Sequence, residues 1–245
     1  MSHLHLVDGV IAPVWWILGY VLALGVLGFA VTKVKKEELS KKVPFIGVIG
    51  ALMLITMSVP LGFLPFHLNL TVLAGILAGP WLGFIAVFIV NIILAFIGHG
   101  GITVIGLNTL IIGTEVIVGY FLFKAIAKHI KPVTAVAVTV IVTLLISTTL
   151  MAGIVIGTSA GLEHALPHEE EAHQDEQLNA EAEHEELEEL LSEIHIFVFS
   201  GWGAVAVILL LGIAIETLVT SLVVGFFMKV RPDLIMQNAE CTMQN

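Results

Sequence analysis

PVWWILGYVLALGVLGFAVTK, residues 13–33, runs for twenty residues without a charge before it reaches Lys33. About 20 apolar residues in a helix are what it takes to cross the ~30 Å hydrocarbon core of a bilayer. Reading outward, further apolar runs bounded by breakers fall at 43–63, 68–79, 82–97, 103–124, 132–157 and 197–228. The third is too short to cross without thinning or tilt, and the seventh is long enough to hold a break around Gly201 and Gly203. Hydrophobic residues make up 58% of the 245-residue chain and charged ones 12%, with a mean hydropathy of +1.02. Lipid is therefore the solvent for most of it. An all-α, polytopic membrane helix bundle is expected, with about seven transmembrane helices in a single domain over residues 1–245.

Charge sets the expected orientation. The net charge is −10, but most of the acids fall between Glu163 and Glu193. The ten basic residues form three groups: Lys33, Lys35, Lys36, Lys41 and Lys42; Lys124, Lys128 and Lys131; Lys229 and Arg231. Seven crossings put all three on one side. Lys and Arg favour cytoplasmic loops, so the N-terminus is expected outside. Without the third crossing, the Lys124 group would face the other way. Nine of the ten histidines then lie outside, and His129 alone sits with the lysines. The start, MSHLHLVDGVIAP, has no basic region ahead of its apolar stretch, so it is read as retained, apart from possible removal of Met1.

Several chemistries are excluded. With Cys241 as its one cysteine, the chain can form neither an internal disulfide nor a thiolate cluster, so a metal site must use nitrogen and oxygen. It contains no Gly-x-x-x-x-Gly-Lys-Ser/Thr loop for ATP, no His-Glu-x-x-His run and no Gly-x-Ser-x-Gly elbow. Basic surface for nucleic acid is absent from the sequence as well.

The candidate metal ligands begin with Met1-Ser2-His3. A free amine, two amides and a third-position imidazole place four nitrogens in a plane, which suits Ni(II) or Cu(II). If Met1 is removed, Ser2 carries the amine, His3 becomes the second residue, and the fourth nitrogen must come from elsewhere, with His67 the obvious donor. His5, His67 in LPFHLNL and His99 in FIGHGGITVIGLNT add further imidazoles at the expected outer ends of spans. Each of these rings could equally face water as a plain surface residue. Within the spans stand Asn91, Asn108, Thr109, Glu115 and Glu216, and ionisable groups at that depth mark functional sites or pair with helix neighbours. Gly75 with Gly79, and Gly47 with Gly50, are read as positions of close helix packing. Residues 162–195, acidic and bearing five histidines, read as a solvated, partly helical external loop that collects cations by its field, with little selectivity.

HLVDGVIAPVWW at residues 5–16, His67 after the second span, and HGGITVIGLNT at 99–109 resemble, in that order, the CbiM/NikM family, substrate-binding membrane subunits of energy-coupling-factor transporters for cobalt and nickel. The resemblance covers about the first two thirds of the chain. It implies an external N-terminal segment, residues 1–12, inserted among the helices, with the terminal amine, an early histidine and His67 giving nitrogens to Ni(II) or Co(II) as the transported substrate. His99, Asn108 and Glu115 would then support or gate the site. It further implies as partners a transmembrane coupling subunit, ATPase subunits and a small accessory membrane subunit, in a prokaryotic plasma membrane. The family usually has histidine directly after the initiator Met, whereas here His5 matches that histidine by its spacing to Asp8-Gly9. Either His3 or His5 is the ligand; loss of Met1 would restore the family geometry with His3. Two other readings stand beside this one. A stand-alone carrier would use Glu115 and Glu216 as proton sites. A membrane metalloenzyme would show clustered histidine boxes, but here the histidines are scattered.

Overall fold

The computed structural model describes residues 6, 8–9, 11–34, 36–58, 67–163, 182–230 and 235, of which 36–42, 45, 159–163 and 182–205 are described by backbone alone. Among the described residues the chain forms seven helices and no strand: α1 (Pro13–Lys33), α2 (Lys36–Ser58), α3 (Thr71–Ala78), α4 (Pro80–Phe96), α5 (Ile105–Ile126), α6 (Pro132–Glu163) and α7 (Ala182–Val230). Prolines open α1, α4 and α6, where their missing N–H costs no helical hydrogen bond.

Four helices are long and apolar enough to cross a membrane, over Pro13–Lys33, Ile105–Ile126, Pro132–Thr158 and Ala206–Val230; Ile46–Ser58 and Pro80–Phe96 are shorter apolar helices. The seven helices are those expected, and the length for a full crossing is absent at α3, the run read as too short to cross without thinning or tilt. Eight residues at 1.5 Å each reach only about 12 Å, less than half the hydrocarbon core. The expected break at Gly201 and Gly203 is absent as well, since α7 runs unbroken through both and takes in residues 182–195 of the acidic segment.

The orientation argument survives the short α3. His67 precedes α3 and His99 follows α4, yet their rings touch. Residues 67–99 therefore enter the bundle and return to the same end, whatever depth the turn at Gly79 reaches. At that end the starts of α1 and α5 lie side by side: a Cβ on Gly106 would stand 2.5 Å from the Tyr20 backbone nitrogen, and one on Gly19 2.5 Å from Leu107. The two helices then run parallel to ends at Lys33 and Lys124. Val133 at the start of α6 lies beside Gly225 near the end of α7, so Lys131 and Lys229 share that far end.

All eight residues of α3 are buried. They sit in the main core with Met53 and Met57 of α2, Val116 of α5 and Val140 and Leu144 of α6. Burial in protein explains how α3 reads as apolar as a membrane span without being one. The perimeter carries large exposed apolar side chains such as Val14, Val21, Phe96, Ile156 and Leu222, a surface matched to acyl chains. Of the four glycines expected at close helix contacts, Gly75 is one: a Cβ there would stand 2.5 Å from the Val116 carbonyl oxygen. Gly79 instead makes the α3–α4 turn at φ +87°, and Gly47 faces open space. Gly50 has only Val90 at 3.8 Å.

Candidate metal site

Three short pieces of chain meet at the end of the bundle opposite the lysines. The first is the end of α4. Gly98, at φ +84°, donates its N–H to Ala95 at 3.1 Å, and His99 donates its N–H to Leu94 at 2.8 Å. This pair of bonds is the Schellman cap, which glycine enables by adopting the left-handed conformation. It turns the chain sharply and holds His99 at the rim.

The second piece is residues 67–70, which lead into α3. The half-buried rings of His67 and His99 lie with centroids 4.8 Å apart and planes at 89°. Two imidazoles bound cis to one ion, each with nitrogen about 2.0–2.1 Å from it, have centroids about 4.5–5 Å apart, so this spacing accommodates a shared ion. Burial, and secondarily the neighbouring His67, hold the His99 pKa below the ordinary imidazole value. A neutral ring keeps a lone pair available for a metal.

The third piece is the N-terminal segment. Leu6 donates its N–H to Asn108 Oδ1 at 2.9 Å and accepts from Asn108 Nδ2 at 3.1 Å; Gly101 donates to the same Leu6 carbonyl at 3.1 Å. The Asn108 amide thus offers a donor and an acceptor side by side, as a peptide unit of a neighbouring strand would. Asp8 accepts from the N–H groups of Ile102 (3.0 Å) and Thr103 (2.8 Å) and from the Thr103 hydroxyl (2.5 Å). Tyr20 adds a hydroxyl bond to the Ile102 carbonyl. Gly101 is required here, because a Cβ would collide with the Asp8 carboxylate. Leu6 and Ile11 pack with Val104, Leu107, Ile111 and Met151 in a second small core. The segment is therefore docked by its backbone within two residues of His99.

Hydrogen bonds from Thr103, its hydroxyl first, hold the Asp8 pKa below the usual carboxylate value. A carboxyl lowered in the folded state stabilises above the unfolded value of about 3.9 and loses that contribution as pH falls through the folded value. An NMR titration of the Asp8 carboxyl is expected to give a midpoint below about 3.9, with protection of the Ile102 and Thr103 amides lost in the same range. A midpoint at or above the free value would show that the carboxylate does not carry the clamp.

The other expected site residues are placed as follows. Asn108 holds Leu6, as described. Glu115 lies about 10 Å further along α5, where it accepts from Asn69 and Thr71. Met1, Ser2, His3 and His5 lie outside the described residues, as do residues 164–181 and all side chains of the acidic segment beyond Thr158. Among the described residues no group of three or more His, Cys, Asp or Glu converges as a metal cage; His67 and His99 make a pair. Sequence reasoning missed the roles of Asp8, Tyr20 and Asn69. Asp8 stood in the family-like segment, but nothing in its spacing named Thr103 as its partner.

The model of the CbiM family, the cobalt uptake substrate-specific transmembrane region, matches residues 5–234. The chain belongs to the CbiM family. A relative from Methanocaldococcus jannaschii, named for metal transport, is 31% identical over 138 residues, covering 54% of this chain and 62% of the relative. The Methanosarcina barkeri protein named CbiM 1, for cobalt transport, is 30% identical over 51% of this chain and 55% of its own length. A protein of Archaeoglobus fulgidus named as a fused nickel transport protein, NikMN, is 30% identical over 51% of this chain and 43% of itself. These matches thus span about half the length of the curated relatives. Two crystal structures of transition metal transporters, one of them truncated, share the fold. The truncated one has a TM-score of 0.66 at 21% identity, covering 92% of this chain and 99% of that one. The other has a TM-score of 0.64 at 19% identity over 99% of this chain and 100% of that one. CbiM family membership sets the chain among cobalt uptake substrate-specific transmembrane regions, and its four long apolar helices have the length and composition to cross a membrane.

Proposed function

We propose that this chain is the substrate-specific subunit of an ATP-driven energy-coupling-factor uptake transporter for nickel or cobalt ions in a prokaryotic plasma membrane. The observation that carries the reading is the meeting of His67, His99 and the docked N-terminal segment at the end opposite the lysines. Residues 1–5 are tied to Leu6, and three residues of chain reach at most about 11 Å. Five residues reach at most about 18 Å, so the amine lies on a longer tether than His3 or His5, and all three can reach the histidine pair in the proposed site. His67 gives one nitrogen, the N-terminal residues give the others, and His99 stands beside them as a further ligand or as the group that orients His67. Such a nitrogen-rich set favours Ni(II) and Co(II) over Mg(II) and Ca(II), which prefer oxygen. Residues 162–195 concentrate cations outside. The chain carries no ATP-binding loop, so the energy comes from partners: a transmembrane coupling subunit, ATPase subunits and a small accessory membrane subunit.

Calorimetry with Ni(II), Co(II) and Zn(II) on the purified chain tests the site. Acetylating or extending the N-terminus is expected to remove tight binding. Tight binding that survives a blocked amine would exclude the N-terminal chelate. The stand-alone carrier makes the opposite forecast for vesicles: metal uptake by this chain with no ATPase present.

A further inference from the structure

The deepest polar groups of the bundle form a second centre apart from the two histidines. Glu115 and Glu216 are both 0% exposed. Asn69 Nδ2 donates to Glu115 Oε2 at 2.5 Å, the Thr71 hydroxyl donates to the same oxygen, and the Ser147 hydroxyl donates to the Glu115 carboxyl. The Leu70 N–H reaches Glu216 Oε1 at 3.3 Å, and the two carboxyls are close enough to feel each other's charge. Leu70 stands at φ +56°, a left-handed conformation that a bulky residue rarely adopts. Four elements thus converge on this centre: the 67–71 stretch, α5, α6 and α7.

A second observation points to a ligand. The Asn69 carbonyl oxygen is buried and accepts no hydrogen bond among the described residues, although its own amide nitrogen is bonded to Glu115. Thr139 and Thr143 lie two turns and one turn before Ser147 on the same face of α6, and Thr220 lies one turn after Glu216 on α7. All three hydroxyls are buried without a hydrogen bond among the described residues. Elsewhere in these helices Thr148, Thr149, Thr158 and Thr217 bond back to the carbonyl four residues earlier. A buried polar atom left unsatisfied at this depth is costly, and several together imply an occupant.

We propose that Glu115, Glu216 and Asn69 bind a hard, oxygen-seeking cation of the Na+ or Ca2+ type in the core of the bundle, separate from the transported transition metal. Carboxyl, amide and hydroxyl oxygens are the donors such ions take, and the set lacks nitrogen and sulfur. Mg2+ fits less well, because it keeps its waters and this centre is enclosed. The bound ion ties α5 to α7 and to the stretch that carries His67. The site stands whether or not His67 and the N-terminus bind nickel.

The full chain, purified and placed in phosphatidylcholine nanodiscs, is titrated with Na+, Ca2+ and Mg2+ against choline at matched ionic strength. Its unfolding midpoint and its binding of radiolabelled sodium and calcium are followed together. The midpoint is expected to rise with the logarithm of Na+ or Ca2+ concentration, as it does for any ligand of the folded state, and one ion is expected to bind tightly per chain. Glu216→Gln and Asn69→Ala are each expected to weaken that binding by about tenfold or more, a change of about 1.4 kcal/mol. If one variant does not fold, the other decides. Three results would overturn the site: no response beyond choline, a response to pH alone, or native binding in a folded variant, which would assign the ion to the acidic segment. Ni(II) calorimetry on the same samples shows separately whether the histidine site is intact.

Discussion

His67→Ala is expected to weaken Ni(II) binding well beyond 100-fold. Loss of a group that merely orients a metal ligand costs about 10–100-fold in affinity, and removing a nitrogen that touches the ion costs more. His99→Ala separates its two possible roles by the same measure. As a ligand it falls with His67; as the ring that orients His67 across the 4.8 Å contact, it falls within the 10–100-fold range. Calorimetry on both variants, with the thermal midpoint as a check on folding, reads the difference. Near-native binding by a folded His67→Ala chain would remove the histidine pair from the site altogether.

Gly106→Ala is expected to be among the most damaging single-methyl changes in the described chain. The added Cβ would stand 2.5 Å from the Tyr20 nitrogen and 2.7 Å from the Gly19 carbonyl carbon, both backbone atoms of α1. No rotamer change relieves a clash with backbone, so α1 must move away from α5. Overpacking of this kind costs about 1–3 kcal/mol, or roughly 3–10 °C in the midpoint. Because residues 6–12 run straight into α1, the shift also drags the docked segment from Asn108 and weakens metal binding. Gly47→Ala is the control: nothing lies within 4 Å of a Cβ there, so the midpoint should hold or rise slightly as the helix gains a better former. Equal losses in the two variants would refute the close α1–α5 contact as the cause.

Much of the fold was legible because lipid imposes a simple test. Residues 13–33 read as a span to the residue, since Pro13 opens the helix and Lys33 marks the polar boundary. At α3 it was run length and not hydropathy that told the helix apart, because a helix buried in protein on every side looks as apolar as one that crosses lipid. Hydropathy began the last span at residue 197, whereas α7 starts at Ala182 and runs through the two glycines where a break had room to form. In the candidate site, His67 and His99 were visible as imidazoles at span ends, but their contact rests on α3 and α4 returning to the same end. Glu115 and Glu216 stood out as charges at depth. Their connection did not, since the Leu70 bond to Glu216 links residues 146 positions apart, and no local pattern encodes such a meeting.

The Asn108 clamp has a further consequence. Its amide grips Leu6 by the backbone N–H and carbonyl, atoms that every residue type but proline offers. In the proposed site, attachment and recognition would therefore be carried by different atoms: the main chain of Leu6 anchors the segment, while the imidazoles and amine ahead of it would meet the ion. On that reading residues 1–5 would be open to drift and selection, able to exchange one preferred ion for another while Leu6 stays held. A library randomised there, with Leu6, Asp8 and Asn108 kept, is the natural place to look for altered metal preference.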